Sequence, residues 1–486
     1  MAALGAILLL GGCQKSPDKE VIVNKNDESF ASNVAASTGE TNPSIESYQT
    51  PFFDSFASTD ESVHFSIAVD QSFQTSNTPI VQVSSHFLTE EDAKRVATAF
   101  FPDATFFEAE PPQAEKLSKS EIQEKINRWA EYVNTGSLKT LYGDMYSDMA
   151  LNDISNTIKN FVENYTIMYE TAPTENCHTL CEWKMHKTLE YLLSPEELID
   201  VDISNSNDEI SAQFIADNIP YYFTAATRNN SDFKVNMISI YVYAGMGPAN
   251  LDENIFHAQL TRTAEPTQSQ IDMVKSKAEQ MLSEMDLGEW QIDECFVETK
   301  ACGEATEYTI LVNAVPSLGN VQTLRRPQLT SLKNKDGYAP EQYYTDANFA
   351  FSADGRLISF NLYTPIETQK VVNDNAEVMD MAALVERAKE HLCLTDSYAY
   401  GFGDFLPFIE EDVQCNVTIS ELIYGLSRIK VQNEEDVYYY VPSMLLKGDV
   451  EYVGKESGSI FYSSTETEDI LYINAIDGTI INQTNS

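Results

Sequence analysis

The order of predicted elements is the feature that most constrains the fold of this chain. Segments with strand-like alternation come in runs after an amphipathic helix, and they do not alternate one-to-one with helices. Runs of strands beside segregated helices predict an α+β fold with antiparallel sheets, each packed by a helix. The clearest strand segments are Ala212–Ile215, Val235–Tyr243, Tyr308–Val315, Phe349–Phe351, Val437–Val441 and Leu471–Ile473.

Five segments have helical spacing of apolar residues, and four of them begin with a capping residue. The fifth is an apolar stripe that runs from Leu151 to Tyr165. We expect this stripe and the helix before it to pair as a helical hairpin inside the first domain. The four capping residues are Thr89, Ser118, Thr267 and Asp380.

Two segments of the C-terminal half carry the same series of marks. Each has an amphipathic helix, then strands that include Val-Pro-Ser, then Asp-Gly between apolar alternations. Asp-Gly is typical of a two-residue hairpin turn in which both residues have positive φ. The agreement predicts an internal duplication, with copies at 263–366 and 367–486. Val-Pro-Ser begins at Val315 and Val441, and Asp-Gly begins at Asp354 and Asp477.

The two Asp-Gly elements resemble a known module. Tyr472–Ile481 is similar to the terminal hairpin of PepSY-type domains and of related exported regulators of cell-wall two-component kinases. Asn348–Ile358 resembles the same element. Taken together, the two-copy C-terminal half, the lipobox-like segment and the polar stalk that follows it resemble an uncharacterised family of Gram-positive surface lipoproteins. The resemblance implies an extracytoplasmic, non-catalytic module that binds or restrains a partner, and it carries over no functional residues.

The first 13 residues resemble a bacterial lipoprotein signal. An apolar run from Ala2 ends at Leu10-Gly11-Gly12-Cys13, which is similar to the lipobox whose cysteine is acylated. The alternative is an ordinary buried segment in which Cys13 is a core thiol. Export signals run about 15–30 residues with a basic start. Only 12 residues precede Cys13 and none is basic, so we expect the natural start to lie upstream. The expected location is the extracellular face of the cell membrane.

The remaining chain divides by composition. Residues 14–60 are polar and rich in Ser, Asn and Pro, which predicts a disordered stalk because little apolar surface can be buried. The folded part is expected to begin near His64. An N-terminal α+β domain over 61–262 would then precede two PepSY-like modules over 263–366 and 367–486.

The charge of the chain limits its partners. Asp and Glu number 75 against 31 Lys and Arg, a formal net charge of −44. Nucleic-acid binding is excluded, because phosphate contacts need clustered basic residues. The surplus of carboxylates either attracts cations or a basic partner, or serves only to keep an exported surface soluble.

Six cysteines remain once Cys13 is assigned to lipid. They fall in local pairs, and an even count outside the cytosol allows disulfides. Six reduced, buried thiols are the alternative. The candidate pairs are Cys177 with Cys181, Cys295 with Cys302, and Cys393 with Cys415.

The sequence contains one weak metal candidate and no recognisable catalytic motif. On a helix, His178, Glu182 and His186 would lie at i, i+4 and i+8 and could supply three zinc ligands. A local disulfide beside a solvated polar face explains the same residues. We therefore expect no bound metal, no cofactor and no enzymatic activity.

The function expected from these features is a lipid-anchored, non-enzymatic binding or regulatory module in the cell envelope, with a protein or peptide partner. One alternative is the solute-binding receptor of a transporter, which normally has two doubly wound lobes. The other is a wall or glycan hydrolase with an unrecognised acidic site.

Overall fold

The computed structural model of the protein describes residues 52–69, 78–109, 116–134, 138, 148–189, 206–229, 234–243, 251–302, 305–325, 345–395, 406–407, 409, 411–430, 437–464 and 467–481. The predicted lipidation site Cys13 lies outside these residues. The chain divides into two compact units. Unit 1 combines Met1–Gln82 with Gln369–Ser486, and unit 2 is Val83–Thr368.

The described residues form six helices and eighteen strands, most of them antiparallel, as the α+β prediction requires. The helices are α1 (Glu90–Phe100), α2 (Lys119–Asn134), α3 (Asp148–Thr171), α4 (Leu251–Thr261), α5 (Gln268–Met285) and α6 (Met381–Leu392). The strands are β1 (Phe52–Ala57), β2 (Val63–Val69), β3 (Ile80–Ser85), β4 (Phe107–Glu108), β5 (His186–Lys187), β6 (Asp208–Ala216), β7 (Ile219–Asn229), β8 (Lys234–Val242), β9 (Trp290–Cys302), β10 (Ala305–Leu318), β11 (Val321–Gln322), β12 (Asp346–Phe351), β13 (Leu357–Tyr363), β14 (Ile366–Asn373), β15 (Val413–Lys430), β16 (Val437–Gly454), β17 (Ile460–Ser463) and β18 (Glu468–Asn474).

Unit 1 packs one helix on a sheet. Its strands run in the order β1-β2-β15-β16, with β17 and β18 also paired to β16. The β2–β15 pair is parallel. Helix α6 begins at Asp380, whose side chain accepts the Ala383 N–H, and buries its apolar stripe against the sheet. Helix propensity, cap and apolar face therefore agree.

The predicted stalk is too long at its C-terminal end. Residues 52–57 form β1, which pairs with β2 from Phe52–Val69 to Ala57–His64. The ring of Phe56 stacks on Phe65 at 5.0 Å, with 16° between the ring planes. The half-buried ring of Phe56 therefore supplies an apolar contact with the core of unit 1.

Unit 2 is built on one large sheet with two helices on one face. The strand order is β11-β10-β12-β13-β8-β7-β6-β4, with β9 on β10 and β5 on β6. Helices α1 and α5 begin with capping boxes at Thr89 and Thr267, as predicted. Their apolar stripes meet the same side of the sheet in one core, which includes Phe100, Met281 and Phe360.

The predicted helical hairpin is present in unit 2. Helices α2 and α3 pack around Trp129, whose ring meets Phe161 at 5.8 Å and Tyr165 at 4.9 Å, both edge-on. Helix α4, which the sequence did not predict, joins this cluster through Leu251 and Ile255. Asp252 of α4 is buried and accepts the indole N–H of Trp129 at 3.0 Å, and Arg128 lies 3.1 Å away.

Strand pairing departs from the predicted domain boundaries. Strand β13, placed in the first module, pairs with β8 of the predicted N-terminal domain over Ser359–Tyr363, so both belong to one sheet. Strand β2, also placed in that domain, pairs with β15 in unit 1. Such long-range pairings leave no signal in a single sequence.

The two Asp-Gly turns are longer than predicted. The first closes with Ser352 N–H to Arg356 O at 2.9 Å, and the second with Asn474 N–H to Thr479 O at 2.8 Å. Only the glycines take positive φ, at 80° for Gly355 and 70° for Gly478. The two loops contain three and four residues, so Asp354 and Asp477 do not need positive φ. Their side-chain oxygens instead accept local hydrogen bonds.

The pairing orders of the two C-terminal segments agree, but the Val-Pro-Ser marks do not. In both segments a helix precedes two paired long strands, and the second of these also pairs with the strand before Asp-Gly. In the first segment, Val-Pro-Ser begins at Val315, just past the Ala314–Ala347 pair, and so faces the start of β12. In the second segment it faces the opposite end of its partner strand, because Ser443 pairs with Asn474 at the end of β18. The duplication stays a prediction, and Val-Pro-Ser does not support it.

Candidate functional site

The large sheet of unit 2 has two chemically opposite faces. Side chains alternate between faces along each strand, so the pairing register defines rows that cross the sheet. One row on the helix side is apolar in all seven strands and lies in the core or packs against it. From β9 to β6 it consists of Cys295, Val312, Phe349, Phe360, Ile240, Phe223 and Ala212.

The neighbouring row on the other side is polar in the same seven strands. We call the side of the sheet that bears this row the polar face. Three members are almost fully buried: Ser211 is 1 % exposed, Ser239 5 % and Asn313 7 %. From β9 to β6 the row consists of Glu294, Asn313, Asn348, Asn361, Ser239, Thr224 and Ser211.

Hydrogen bonds connect neighbouring members of the polar row. Asn313 donates from Nδ2 to Glu294 Oε2 at 3.1 Å. Ser239 donates from Oγ to Asn361 Oδ1 at 2.7 Å. A buried polar group is costly unless it is bonded, so these bonds allow an antiparallel sheet to keep amides and hydroxyls where apolar residues could pack.

Arg325 binds side chains of β9 and β12 at one end of the polar face. Its guanidinium lies 3.3 Å from Glu294 Oε2, donates to Asn348 Oδ1 at 3.0 Å and lies 3.5 Å from Asp346 Oδ2. Asp346 is 3 % exposed. Burial raises the pKa of Asp346, and the Arg325 charge opposes that rise without cancelling it. The Arg325 guanidinium therefore forms ion pairs with two carboxylates, those of Glu294 and Asp346, at this end.

A second row of the polar face contains exposed aromatic rings. Tyr241 pairs with Tyr222 across the β7–β8 ladder, and Tyr243 lies two residues further along. The ring centroids are 5.4 Å apart for Tyr222–Tyr241, 5.3 Å for Tyr222–Tyr243 and 6.3 Å for Tyr241–Tyr243. We call these three residues the tyrosine platform. Tyr241 is 39 % exposed, and Phe296 at the far end of the row is 42 % exposed.

Carboxylates flank the tyrosine platform. Ser211 hydrogen-bonds Tyr222 and donates its hydroxyl to Glu209. Burial raises the pKa of Tyr222 to about 12, and the Glu209 charge adds to the rise. Burial likewise raises the pKa of Tyr241, with neighbouring tyrosines and the carboxylates of Glu209 and Glu253 contributing. Neighbouring carboxylates therefore act on the platform, and the phenols of Tyr222 and Tyr241 are protonated at neutral pH.

Helix α4 contacts two strands of the sheet, β8 and β10. Arg262, which follows α4, pairs with Glu307 Oε1 at 3.1 Å. Glu307 alternates in β10 with Asn313, so this ion pair lies on the polar-face side.

The arrangement suits binding better than catalysis. Amides and hydroxyls supply donors and acceptors, exposed rings supply stacking surface, and the flanking charges are negative. A catalytic acid or base needs a pKa near the working pH, and the tyrosines are shifted away from neutrality.

The structure does not assemble the predicted zinc ligands. Residues 178–185 contain no helix, and His186 begins β5, so His178, Glu182 and His186 do not share a helix face. His178 Nε2 instead lies 2.7 Å from Glu121 Oε1. Among the described residues, no three His, Cys, Asp or Glu side chains are grouped to hold a metal ion.

The six cysteines considered for disulfides are free thiols: Cys177, Cys181, Cys295, Cys302, Cys393 and Cys415. Cys295 and Cys302 both lie in β9. Seven residues of strand span about 23 Å, whereas bridged Cα atoms lie within about 7 Å. Spacing alone suggested that pair because the intervening segment was not recognised as a strand.

Two histidine–carboxylate pairs sit at helix starts. His86 Nε2 lies 3.0 Å from Asp92 Oδ2 at the start of α1. At the start of α2, Ser118 donates to Glu121 Oε2 at 2.6 Å and His178 meets the other oxygen. Serine, acid and histidine thus meet, but the acid lies between the other two. Because a triad needs histidine against serine, both clusters are helix caps.

Sequence reasoning missed the polar face. The signal was present in the strand alternation, where asparagines occupy the solvent-side positions of β10, β12 and β13 at Asn313, Asn348 and Asn361. Only the register of the pairing shows that these positions lie in one row.

No described helix combines the length and the apolarity needed to cross a membrane. No family model and no curated protein matches the chain. Among solved structures, a crystal structure of an uncharacterized protein from Eubacterium rectale ATCC 33656 is similar, with 10 % sequence identity and a TM-score of 0.38, covering 94 % of this chain and 99 % of that chain. Similarity at this level carries no statement about function.

Proposed function

We propose that this protein is a lipid-anchored, non-enzymatic component of the cell envelope whose polar face binds a protein or peptide partner. The observation that carries the proposal is the polar row, which crosses seven strands and adjoins a row with exposed aromatic rings. A polar side is ordinary in an antiparallel sheet with one solvated face, so the exposed rings of Tyr241 and Phe296 beside the row are what distinguish this sheet.

The exposed apolar residues of the polar face support a macromolecular partner. Ile215 is 67 % exposed, Phe296 42 % and Tyr241 39 %. They are spread over three strands of the same face, β6, β9 and β8. Protein interfaces combine such apolar anchors with hydrogen-bonding groups.

The tether is supported by the sequence Leu10-Gly11-Gly12-Cys13. Acyl chains on Cys13 would hold the acidic chain at the extracellular face of the cell membrane, at roughly 0.8 kcal/mol for each buried methylene. The test is cell fractionation: the natural chain should remain with membranes, and the Cys13→Ala variant should be released. Identical fractionation of the two would contradict the tether.

Binding at the polar face is tested by a photo-crosslinking amino acid placed at one of two matched isoleucines. Ile215 lies on the polar face and is 67 % exposed, and Ile460 lies in β17 of unit 1 and is 62 % exposed. In cells that express the full chain, position 215 should give one discrete protein adduct and position 460 none. Equal labelling at both positions, or at neither, would contradict the proposal.

The receptor alternative is less well supported. Receptors of transporters normally have two doubly wound lobes with parallel strands, whereas the strand pairs described in the large sheet of unit 2 are antiparallel. In the part of the chain that the structure describes, no specific contact favours the hydrolase alternative.

A further inference from the structure

We infer that the polar face recognises a Lys or Arg side chain of its partner, which stacks on the exposed ring of Tyr241 and faces the carboxylates of Glu209 and Glu253. This inference rests on the proposed function, because it names the chemistry of the partner at the same surface. The juxtaposition that carries it is a packed trio of tyrosines with one accessible ring, joined through Ser211 to the carboxylate of Glu209.

The geometry of the platform suits a single cation above one ring. Tyr222 and Tyr241 are tilted by 32°, and Tyr243 meets them nearly edge-on at 72° and 80°. At centroid separations of 5.3 to 6.3 Å the rings touch, so no ligand fits between them. The accessible surface of Tyr241 remains, and a cation is attracted within about 6 Å of such a ring centroid.

The ring of Tyr241 is held in place by its neighbours in the sheet. Tyr222 packs against Tyr241 and is itself hydrogen-bonded through Ser211, whose hydroxyl bonds Glu209. A ring that is fixed before binding loses little conformational freedom on contact. Ser211 is 1 % exposed, so this support is part of the folded sheet.

The charge of the surroundings selects the sign of the ligand. Glu209 and Glu253 both act on Tyr241, and the whole chain carries 75 acidic against 31 basic residues. An anionic ligand would meet repulsion, whereas a cation gains from both the ring and the acids. The same chain already places its own cations over rings: the Arg428 guanidinium lies 4.7 Å from the Tyr438 centroid.

Amide and hydroxyl side chains on the same face as the platform favour a peptide ligand over a free amine. The less buried members of the polar row, Thr224, Asn348 and Asn361, carry a hydroxyl and two amides, and Ile215 is an exposed apolar residue of the same face. A neutral glycan would use the rings and amides but not the carboxylates, so charge dependence separates the two ligands.

The experiment titrates the full chain with a fluorescent peptide of alternating lysine and glycine, a matched glutamate–glycine peptide and a neutral oligosaccharide. We expect binding of the lysine peptide alone. Tyr241→Ala should weaken it about two- to fivefold, the range of an exposed cation–π contact, and Tyr241→Phe should restore it. Glu209→Gln should weaken binding at low salt and have no effect at 1 M salt, where the Debye length is about 3 Å.

Matched controls come from unit 1, where Phe461 is 38 % exposed in β17 and Asp449 is exposed in β16. Phe461→Ala and Asp449→Asn should leave the affinity unchanged. Equal affinity of Tyr241→Ala and the natural chain would overturn the inference, as would tighter binding of the oligosaccharide. A discrete crosslink at Ile215 without lysine-peptide binding would overturn this inference alone; lysine-peptide binding without a crosslink would overturn the proposed function alone.

Discussion

The same strands of the unit 2 sheet form two faces of opposite chemistry, one apolar and one polar. Phe360 and Asn361 are neighbours in β13, yet Phe360 is fully buried under α1 and α5 whereas Asn361 belongs to a hydrogen-bonded polar row. Their partners on either side repeat the contrast. The helix-covered face buries apolar side chains in the core, and the other face keeps amides and hydroxyls in hydrogen bonds.

Loss of apolar packing gives the largest expected effect. Phe360 meets Phe100 at 4.8 Å and Phe349 at 4.7 Å between ring centroids. Phe360→Ala should lower the free energy of unfolding by about 3–5 kcal/mol. Ser359→Ala, one residue away on the polar face, should change it by no more than about 0.5 kcal/mol. Urea denaturation measures both, and equal losses would refute the division of labour between faces.

A polar-row substitution should have an intermediate effect. Asn361→Ala leaves the Ser239 hydroxyl without its acceptor at 2.7 Å and should cost about 1–3 kcal/mol. The double variant Asn361→Leu with Ser239→Ala removes both polar groups and should be close to neutral. A double-mutant cycle of Asn361→Leu, Ser239→Ala and the double variant gives the coupling between the two side chains. If the double variant is as unstable as the sum of these single ones, the two side chains are not coupled and their hydrogen bond does not stabilise the row.

A turn on the helix side should tolerate no added methyl group. Gly355 has φ +80°, and a Cβ there would lie 2.9 Å from the sulfur of Met273 in α5. Gly355→Ala should cost about 1 kcal/mol or somewhat more in unfolding free energy. Gly458→Ala shares a positive φ of +67° but has open space around it, so it should be milder. A reversed order would show that α5 does not press on this turn.

The smallest expected effect concerns the pH dependence of the α1 cap. Burial opposes ionisation of Asp92, but hydrogen bonds from Thr89 and His86 outweigh it and lower the pKa of this carboxyl. An acid with a lowered folded pKa stabilises the fold above its unfolded value of 3.8, and that stability is lost as pH falls through the folded pKa. Asp92→Asn should cost about 1 kcal/mol at pH 7, with a difference that shrinks in acid.

The control for this titration is Glu91→Gln, since Glu91 is exposed in the same first turn. It should leave the acid limb of the stability curve unchanged. An acid limb that is equally steep in the Asp92→Asn variant would show that other groups cause it.

Local sequence signals predicted much of the fold. Capping residues marked the starts of α1, α2, α5 and α6, and the apolar stripe predicted α3. Helix α4 was missed because it lacks a distinct apolar stripe: buried Asp252 and Thr261 interrupt it. Its place is set by the Trp129 and Arg128 contacts of Asp252, which link residues 123 positions apart.

The candidate site could not be predicted from one sequence, for a physical reason. Each of Asn313, Asn348 and Asn361 looks like an ordinary outward residue of a half-buried strand. Their significance comes from register, and a one-residue slip would send each to the core side. By contrast, the His178, Glu182 and His186 candidate site assumed a helix where the chain is irregular, with Trp183 at φ 55°, because spacing carries no information about backbone conformation by itself.

The most direct test of the central claim, that the polar face of unit 2 is the recognition surface, is hydroxyl-radical footprinting of side chains with and without bound partner. Three aromatic residues have matched exposure: Tyr241 at 39 % and Phe296 at 42 % on the polar face, and Phe461 at 38 % in unit 1. Binding should slow oxidation of Tyr241 and Phe296 and leave Phe461 unchanged. Protection of Phe461 while Tyr241 stays fully reactive would contradict the claim.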